Sequence, residues 1–235
     1  MRPGKLNTLA ILLATMCVAG ISARAGTFQS ITIDGNTSDW AGVPLAYTAP
    51  VSSSSAIQYE NVYVANDANN LYIRFTLYSA RPNAFANGYD NLFIDTDNNA
   101  STGFSTGGIG SEMLVQWGGG YQEASGVFNA GAINNLGWSI AGSPDSLGFE
   151  LAISRNATYA SDNSLVFANN TIAILLEGDT TGYAPVEFAP STGGLVYAFA
   201  TASVPEPSTV TMAGLGLLLF AGRFRLARKN SKANG

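Results

Sequence analysis

Leu71-Tyr72-Ile73-Arg74-Phe75-Thr76-Leu77-Tyr78 alternates apolar and polar or amphipathic side chains with a period of two. Successive side chains of an extended chain point to opposite faces, so Leu71, Ile73, Phe75 and Leu77 share one face and Tyr72, Arg74, Thr76 and Tyr78 the other. This predicts a half-buried strand. The same phase recurs in Met113, Val115 and Trp117; in Phe149, Leu151 and Ile153; in Ile172, Ile174 and Leu176; and in Leu195, Tyr197 and Phe199. Turn-forming clusters separate these runs: Asn66-Asp67-Ala68-Asn69-Asn70, Asp97-Asn98-Asn99, Gly118-Gly119-Gly120, Gly142-Ser143-Pro144-Asp145 and Gly178-Asp179-Thr180-Thr181-Gly182. No long segment of helical period interrupts them. About eight to ten short strands with turns between them predict an all-β chain folded as a single antiparallel β-sandwich.

Residues 26–203 contain neither cysteine nor histidine, the single cysteine of the chain being Cys17. Disulfides, thiol nucleophiles, histidine-ligated metals and Ser-His-Asp triads are therefore excluded from this segment. Its only cations are Arg74, Arg81 and Arg155, set against fifteen Asp and Glu, a balance of −12 that the −5 of the whole chain conceals. A segment so acidic lacks the basic stripe that nucleic-acid binding requires, and nucleic acid is excluded as a partner.

The two ends read differently from the middle. Arg2 and Lys5 precede the apolar residues 9–18, and Ala23-Arg24-Ala25 matches a small-x-small cleavage site before Gly26, so residues 1–25 are expected to be a secretory signal peptide; a retained anchor is the alternative. Near Ala202 the composition shifts again. Val204-Pro205-Glu206-Pro207 is held extended by its prolines, residues 208–222 are uncharged and mostly apolar, and Arg223, Arg225, Arg228, Lys229 and Lys232 follow. Fifteen residues fall short of the roughly 20 of a comfortable bilayer span, which predicts a short transmembrane helix inserted transiently, with the basic residues 223–235 on the cytoplasmic side. The order of motif, apolar stretch and basic stop resembles the PEP-CTERM sorting signal. That resemblance implies processing by an exosortase over residues 204–235, after export across the inner membrane, with release to the cell surface or extracellular matrix; a permanent anchor is the alternative.

Between the two ends, Ile33-Asp34-Gly35-Asn36-Thr37-Ser38-Asp39-Trp40, then Asp67-Ala68-Asn69-Asn70-Leu71-Tyr72-Ile73-Arg74-Phe75, then Leu92-Phe93-Ile94-Asp95-Thr96-Asp97-Asn98-Asn99 with Thr102-Gly103-Phe104 resemble, in this order, the sandwich of carbohydrate-binding module family 9. The resemblance implies an immunoglobulin-like β-sandwich over most of residues 26–203. It speaks to scaffold more than to ligand.

Alternate Asp95, Asp97 and Asn99 offer hard oxygen ligands that a curled loop would bring to one calcium ion, although Ala100 and Thr106 stand where an EF-hand has glycine and glutamate. A hairpin capped by its own Asp and Asn side chains is the other reading. Asp34 and Asp39 are expected to brace the turn that delivers Trp40 into the core.

For sugar recognition the resemblance implies a pair of tryptophans, yet Trp117 is in phase with Met113 and Val115, and Trp138 with Leu136 and Ile140, so both are expected in the core as well as being ligand candidates. Tyr72, Arg74 and Tyr78 form an alternative platform, and Tyr121 with Gln122 a loop pocket. Glu112 and Glu150, both expected on the non-core faces of strands, are the candidate pair for glycoside hydrolysis, which needs two carboxyl groups about 5–9.5 Å apart. The leading expectation is a non-enzymatic exported protein associating with extracellular polysaccharide. A structural matrix protein without a specific ligand is the second reading and a secreted glycosidase the third.

Overall fold

Leu71, Ile73, Phe75 and Leu77 are all buried on one face of their strand, as the alternation predicts. The computed structural model describes residues 24–51, 57–81, 85, 89–180 and 184–202; residues 1–23 of the segment 1–25 expected to be a signal peptide, and the whole of the segment 204–235 expected to be a sorting signal, lie outside the described residues. Among the described residues the strands are β1 (Arg24–Ala25), β2 (Leu45–Thr48), β3 (Tyr59–Asn66), β4 (Asn70–Leu77), β5 (Asp90–Asp95), β6 (Phe104–Thr106), β7 (Ile109–Ser111), β8 (Met113–Gln116), β9 (Gly119–Ala124), β10 (Val127–Asn134), β11 (Ser139–Gly142), β12 (Gly148–Ser154), β13 (Thr158–Tyr159), β14 (Thr171–Asp179), β15 (Pro185–Ala189) and β16 (Leu195–Ala198). They form a five-stranded sheet in the order β11-β12-β4-β3-β2, a nine-stranded sheet in the order β1-β16-β14-β5-β8-β9-β10-β13 with β15 also on β14, and the separate hairpin β6–β7.

The two large sheets face each other across one core. Tyr59, Val64, Ile73, Phe75, Phe149 and Leu151 come from the smaller sheet, and Leu92, Ile94, Met113, Val115, Ile174 and Leu176 from the larger. Phe75 anchors the centre, stacked on Phe149 at 5.4 Å and edge-on to Tyr59 at 5.5 Å. Each such side chain contributes about 1.5–3 kcal/mol by leaving water. The all-β sandwich is thus as expected, with two differences. The strands are shorter and more numerous, and β1 runs parallel to β16 (Arg24 opposite Tyr197) while every other ladder is antiparallel.

The outer face of the smaller sheet is covered too. Ala65, Tyr72 and Ala152 stand side by side on β3, β4 and β12, and Ile31, Trp40 and Val43 of the N-terminal segment pack over them. The Trp40 side chain is buried in one cluster with these two alanines and the tyrosine. The segment is pinned there by a carboxylate. Glu150 Oε2 accepts from Trp40 Nε1 at 2.8 Å, and its Oε1 accepts the backbone N–H groups of Asp34 (2.8 Å) and Gly35 (2.6 Å). Asp34 caps Asn36 and Asp39 accepts from Thr32, so the corner bends before the 3₁₀ turn Thr37–Trp40.

Glu150 is 1% exposed, and truncating it strands three donors. Glu150→Ala is expected to cost about 3 kcal/mol or more in urea unfolding, and Glu150→Gln less, because the amide keeps the volume and one acceptor. A loss below about 1 kcal/mol for the alanine variant would show that packing alone holds the corner.

Candidate functional site

On β5, β8 and β14 the inward residues Leu92, Val115 and Leu176 are paired in register, which forces their neighbours Asn91, Gln116 and Glu177 together onto the outer face of the larger sheet. There they form a hydrogen-bonded row. Gln116 Nε2 donates to Asn91 Oδ1 at 2.8 Å, and Asn91 Nδ2 donates to both Glu177 Oε1 (3.2 Å) and Asp179 Oδ2 (3.0 Å). All four side chains are at most 4% exposed. The hairpin β6–β7 lies across the same face, where Thr106 Oγ1 donates to Glu177 Oε2 at 3.0 Å and Phe104 stacks on Phe93 at 6.3 Å.

Above this polar floor stand aromatic walls. Phe128 of β10 meets Phe104 edge-on at 5.2 Å and is 44% exposed. Trp117 is 50% exposed. Gln116 pairs with Gly119 across β8 and β9, so Trp117 and Gly118 are the two turn residues; their φ values of +51° and +70° define a type I′ hairpin. Trp117 is a bulky residue in the left-handed region, a conformation that costs about 1–2 kcal/mol and that glycine or asparagine would adopt more readily. Together with Pro185 these groups enclose a cleft of about 440 Å3, within the usual range for small ligands.

Burial first, and then the adjacent Asp179 charge, pushes the Glu177 carboxyl up to about 7; burial also raises Asp179. The two carboxyl groups are in hydrogen-bonding contact, so one proton between them relieves the repulsion.

The ligand residues expected from the sequence are distributed otherwise. Trp117 leaves the core, because β8 ends at Gln116 and the left-handed turn swings the indole out of the strand's phase. Trp138 stays half-buried against the core, 5.6 Å from Phe85, and no tryptophan pair lines the cleft. The platform of Tyr72, Arg74 and Tyr78 is not formed: Tyr72 is buried beneath Trp40 and donates to Asp67 at 2.7 Å, Arg74 lies over the Tyr63 ring, and Tyr78 donates to the Ala49 carbonyl. Tyr121 packs in the apolar cluster of the outer face and Gln122 accepts from Ser161, so the loop pocket is not formed either. Glu150 of β12 is engaged by the Trp40 corner, whereas Glu112 lies in the bend between β7 and β8 and joins the Asp95 loop. Asn91, Gln116 and Glu177 are not among the residues the sequence singles out. The signal was present in the alternation, which continues through Glu177 and Asp179 beyond the point where Gly178 suggests a turn.

At the other end of β5, carboxylate oxygens of Asp95, Asp97 and Glu112 lie within 4.8 Å of one another. Asn99 takes a different part from the one expected. Its N–H donates to Asp95 and Asp97 at 3.0 Å and its side-chain oxygen accepts from Ser101, so it shapes the loop while Glu112 completes the acidic group. Burial, and then the neighbouring carboxylates, raises Glu112; burial and the crowding of Asp97 raise Asp95.

Residues 203–228 match the PEP-CTERM protein-sorting motif, and such a signal implies export and membrane-anchored sorting toward the cell surface. No curated protein matches the chain. Among solved structures, similarity is found to a carbohydrate binding module family 9 from Caldicellulosiruptor kristjanssonii in complex with cellotriose, at 15% identity over 77% of this chain and 97% of that chain with a TM-score of 0.41. A complex of a family 9 module from the same organism with glucose is similar at 14% identity over 78% and 98%, with a TM-score of 0.42.

Because the folded chain holds a proton on Glu177 between the usual glutamate value and about 7, and the unfolded chain releases it, this group's contribution to stability falls as pH rises through that window. Glu177→Gln is therefore expected to be nearly neutral at about pH 5 and stabilising relative to the parent at about pH 8, on the order of 1–3 kcal/mol. Glu123, also raised to about 7 by burial, is common to both proteins and cancels in the comparison. A difference that does not change with pH in thermal melts would contradict the assignment.

Proposed function

We propose that this is a non-enzymatic, exported protein whose β-sandwich binds a saccharide of the extracellular polysaccharide in the Trp117–Phe128 cleft. One observation carries the reading: exposed aromatic faces stand over a buried row of amide and carboxylate groups in a concavity of about 440 Å3. Sugar rings present C–H faces that pack on aromatic rings, and hydroxyl groups that need fixed acceptors and donors at their edge. The tail supports delivery by an exosortase to the cell surface or matrix, the apolar residues 208–222 serving as a transient hold during sorting.

Retention of the protein on the producer's own extracellular polysaccharide, and quenching of Trp117 fluorescence by oligosaccharides from it, test the reading. Trp117→Ala is expected to weaken binding about tenfold or more, since an aromatic anchor carries 1.4 kcal/mol or more of such contacts. Trp138→Phe is expected to leave affinity unchanged. No retention of the parent protein would favour a structural matrix component without a specific ligand.

We also propose that Asp95, Asp97 and Glu112 hold a calcium ion, with backbone carbonyls and water completing its six to eight oxygens. Three converging carboxylates, two of them raised by burial and then by their neighbours, suit a hard dication. Millimolar calcium should raise the melting temperature and chelator reverse it, by about 2.7 kcal/mol of stabilisation at a hundredfold excess over Kd. The response should vanish in Asp95→Asn/Glu112→Gln. An unchanged melting temperature of the parent would rule the ion out.

A further inference from the structure

The floor of the cleft contains two adjacent carboxylates and no cation. Glu177 and Asp179 receive their hydrogen bonds from the neutral donors Asn91 and Thr106. Residues 26–203 include only three cationic side chains, and each is committed elsewhere. Arg81 pairs with Asp90 at 3.4 Å, Arg74 lies over Tyr63 at 4.8 Å, and Arg155 lies over Phe199 at 4.2 Å while donating to the Asp67 carbonyl. The segments between described residues, 52–56, 82–84, 86–88 and 181–183, contain no Lys or Arg either. No cationic side chain of the sandwich is therefore left to pair with Glu177 and Asp179.

Two buried atoms at this floor also fix what a ligand must bring. Gln116 Oε1 has no donor among the described residues, and Asp179 Oδ1 has none apart from a proton shared with Glu177. Both are acceptors, so the complementary ligand presents N–H or O–H groups. Like-charged carboxylates in a water-poor site gain most from a donor that is itself positive. The walls favour the same chemistry, because Trp117, Phe104 and Phe128 attract a cation to their π-faces as well as packing on C–H groups.

From this geometry we propose that the cleft selects a cationic amino sugar, a saccharide unit whose amine is free and protonated, over neutral and acidic saccharides. The proposal rests on the saccharide reading above and gives it a substrate class. The ammonium sits at Asp179 and Glu177, and ring hydroxyls reach Gln116. A divalent ion fits this floor less well than it fits the Asp95 loop. Both Glu177 oxygens already accept a hydrogen bond, as does the Asn91 oxygen, where calcium takes six to eight oxygens.

The test uses the full chain in a non-ionic detergent, with binding measured by calorimetry at about pH 7 against three probes: glucosamine trimer, its fully N-acetylated counterpart and cellotriose. The glucosamine trimer is expected to bind about tenfold or more tighter than either neutral trimer. Glu177→Gln/Asp179→Asn should abolish that preference, so that the glucosamine trimer binds no tighter than the neutral trimers. Asp145→Asn/Asp162→Asn, which removes two exposed carboxylates outside the cleft, should preserve it. Equal or weaker binding of the glucosamine trimer overturns the proposal and leaves the saccharide reading standing if the neutral trimers bind. Binding of none of the three overturns both. A preference that survives the Glu177/Asp179 variant, or that disappears with Asp145→Asn/Asp162→Asn, reflects attraction to an acidic surface and overturns the proposal, as does one that requires calcium and is lost on chelation.

Discussion

The pairing of β14 with β5, and of β5 with β8, is the constraint from which both the core and the cleft follow. Leu176, Leu92 and Val115 occupy one row and must face the opposite sheet, so the next row, Glu177, Asn91 and Gln116, has no choice but the outer face. A slip of one residue would place two amides and a carboxyl in the core and expel three large aliphatic side chains. The apolar interior therefore specifies a polar site that it does not touch. Two covers then decide what each outer face becomes. On the smaller sheet the Trp40 segment closes the surface, with Glu150 as its clasp. On the larger sheet the β6–β7 hairpin covers only part of the width, and the remainder is open between Phe104, Phe128 and Trp117.

The two outer faces treat buried carboxylates in opposite ways. Glu150 is satisfied by three donors from one short corner, so its burial strengthens the fold. Glu177 and Asp179 share a single amide and one hydroxyl; burial raises both, and the Asp179 charge further disfavours ionisation of Glu177. A charge left this poorly compensated destabilises the folded state by an amount the core must offset, which is the usual mark of a group retained for what it meets rather than for what it supports. Trp117 carries the same mark. A left-handed turn position is cheap for glycine and strained for tryptophan, yet it is the indole that stands at the rim.

Much of this architecture is legible in the alternation alone. Leu71, Ile73, Phe75 and Leu77 announce the core face of β4, and the runs at 113–115, 149–153 and 172–176 give the partner rows. Asp95 and Asp97 announce the acidic loop because they are close in sequence. Glu112 is not announced, since it reaches that loop only through the pairing of β5 with β8. The cleft was hidden for the same reason, its floor being drawn from residues 91, 116, 177 and 179. Local signals also misdirected. Gly178 and Asp179 read as a turn but extend β14, while in Trp117-Gly118-Gly119-Gly120 the turn falls one residue earlier than the glycines suggest. Tyr72 and Tyr78 read as a solvent-facing platform because nothing in their own strand tells of the segment, thirty residues upstream, that folds over Tyr72.

Charge separates the sandwich from its address. The basic residues of the chain are concentrated at its two ends, and removal of the sorting tail would take with it the only large block of positive charge. The sandwich that remains carries −12 with its three arginines already engaged. Such a surface repels acidic polymers at long range and draws in cationic ones, an effect that salt screens beyond about 8–10 Å. The cleft places the least compensated part of that charge where aromatic walls exclude water, so short-range selection and long-range attraction favour the same sign of ligand. Under the proposed reading, that agreement between a surface property, readable from composition, and a buried pair, visible only in the fold, ties the acidity of the sandwich to recognition rather than to solubility alone.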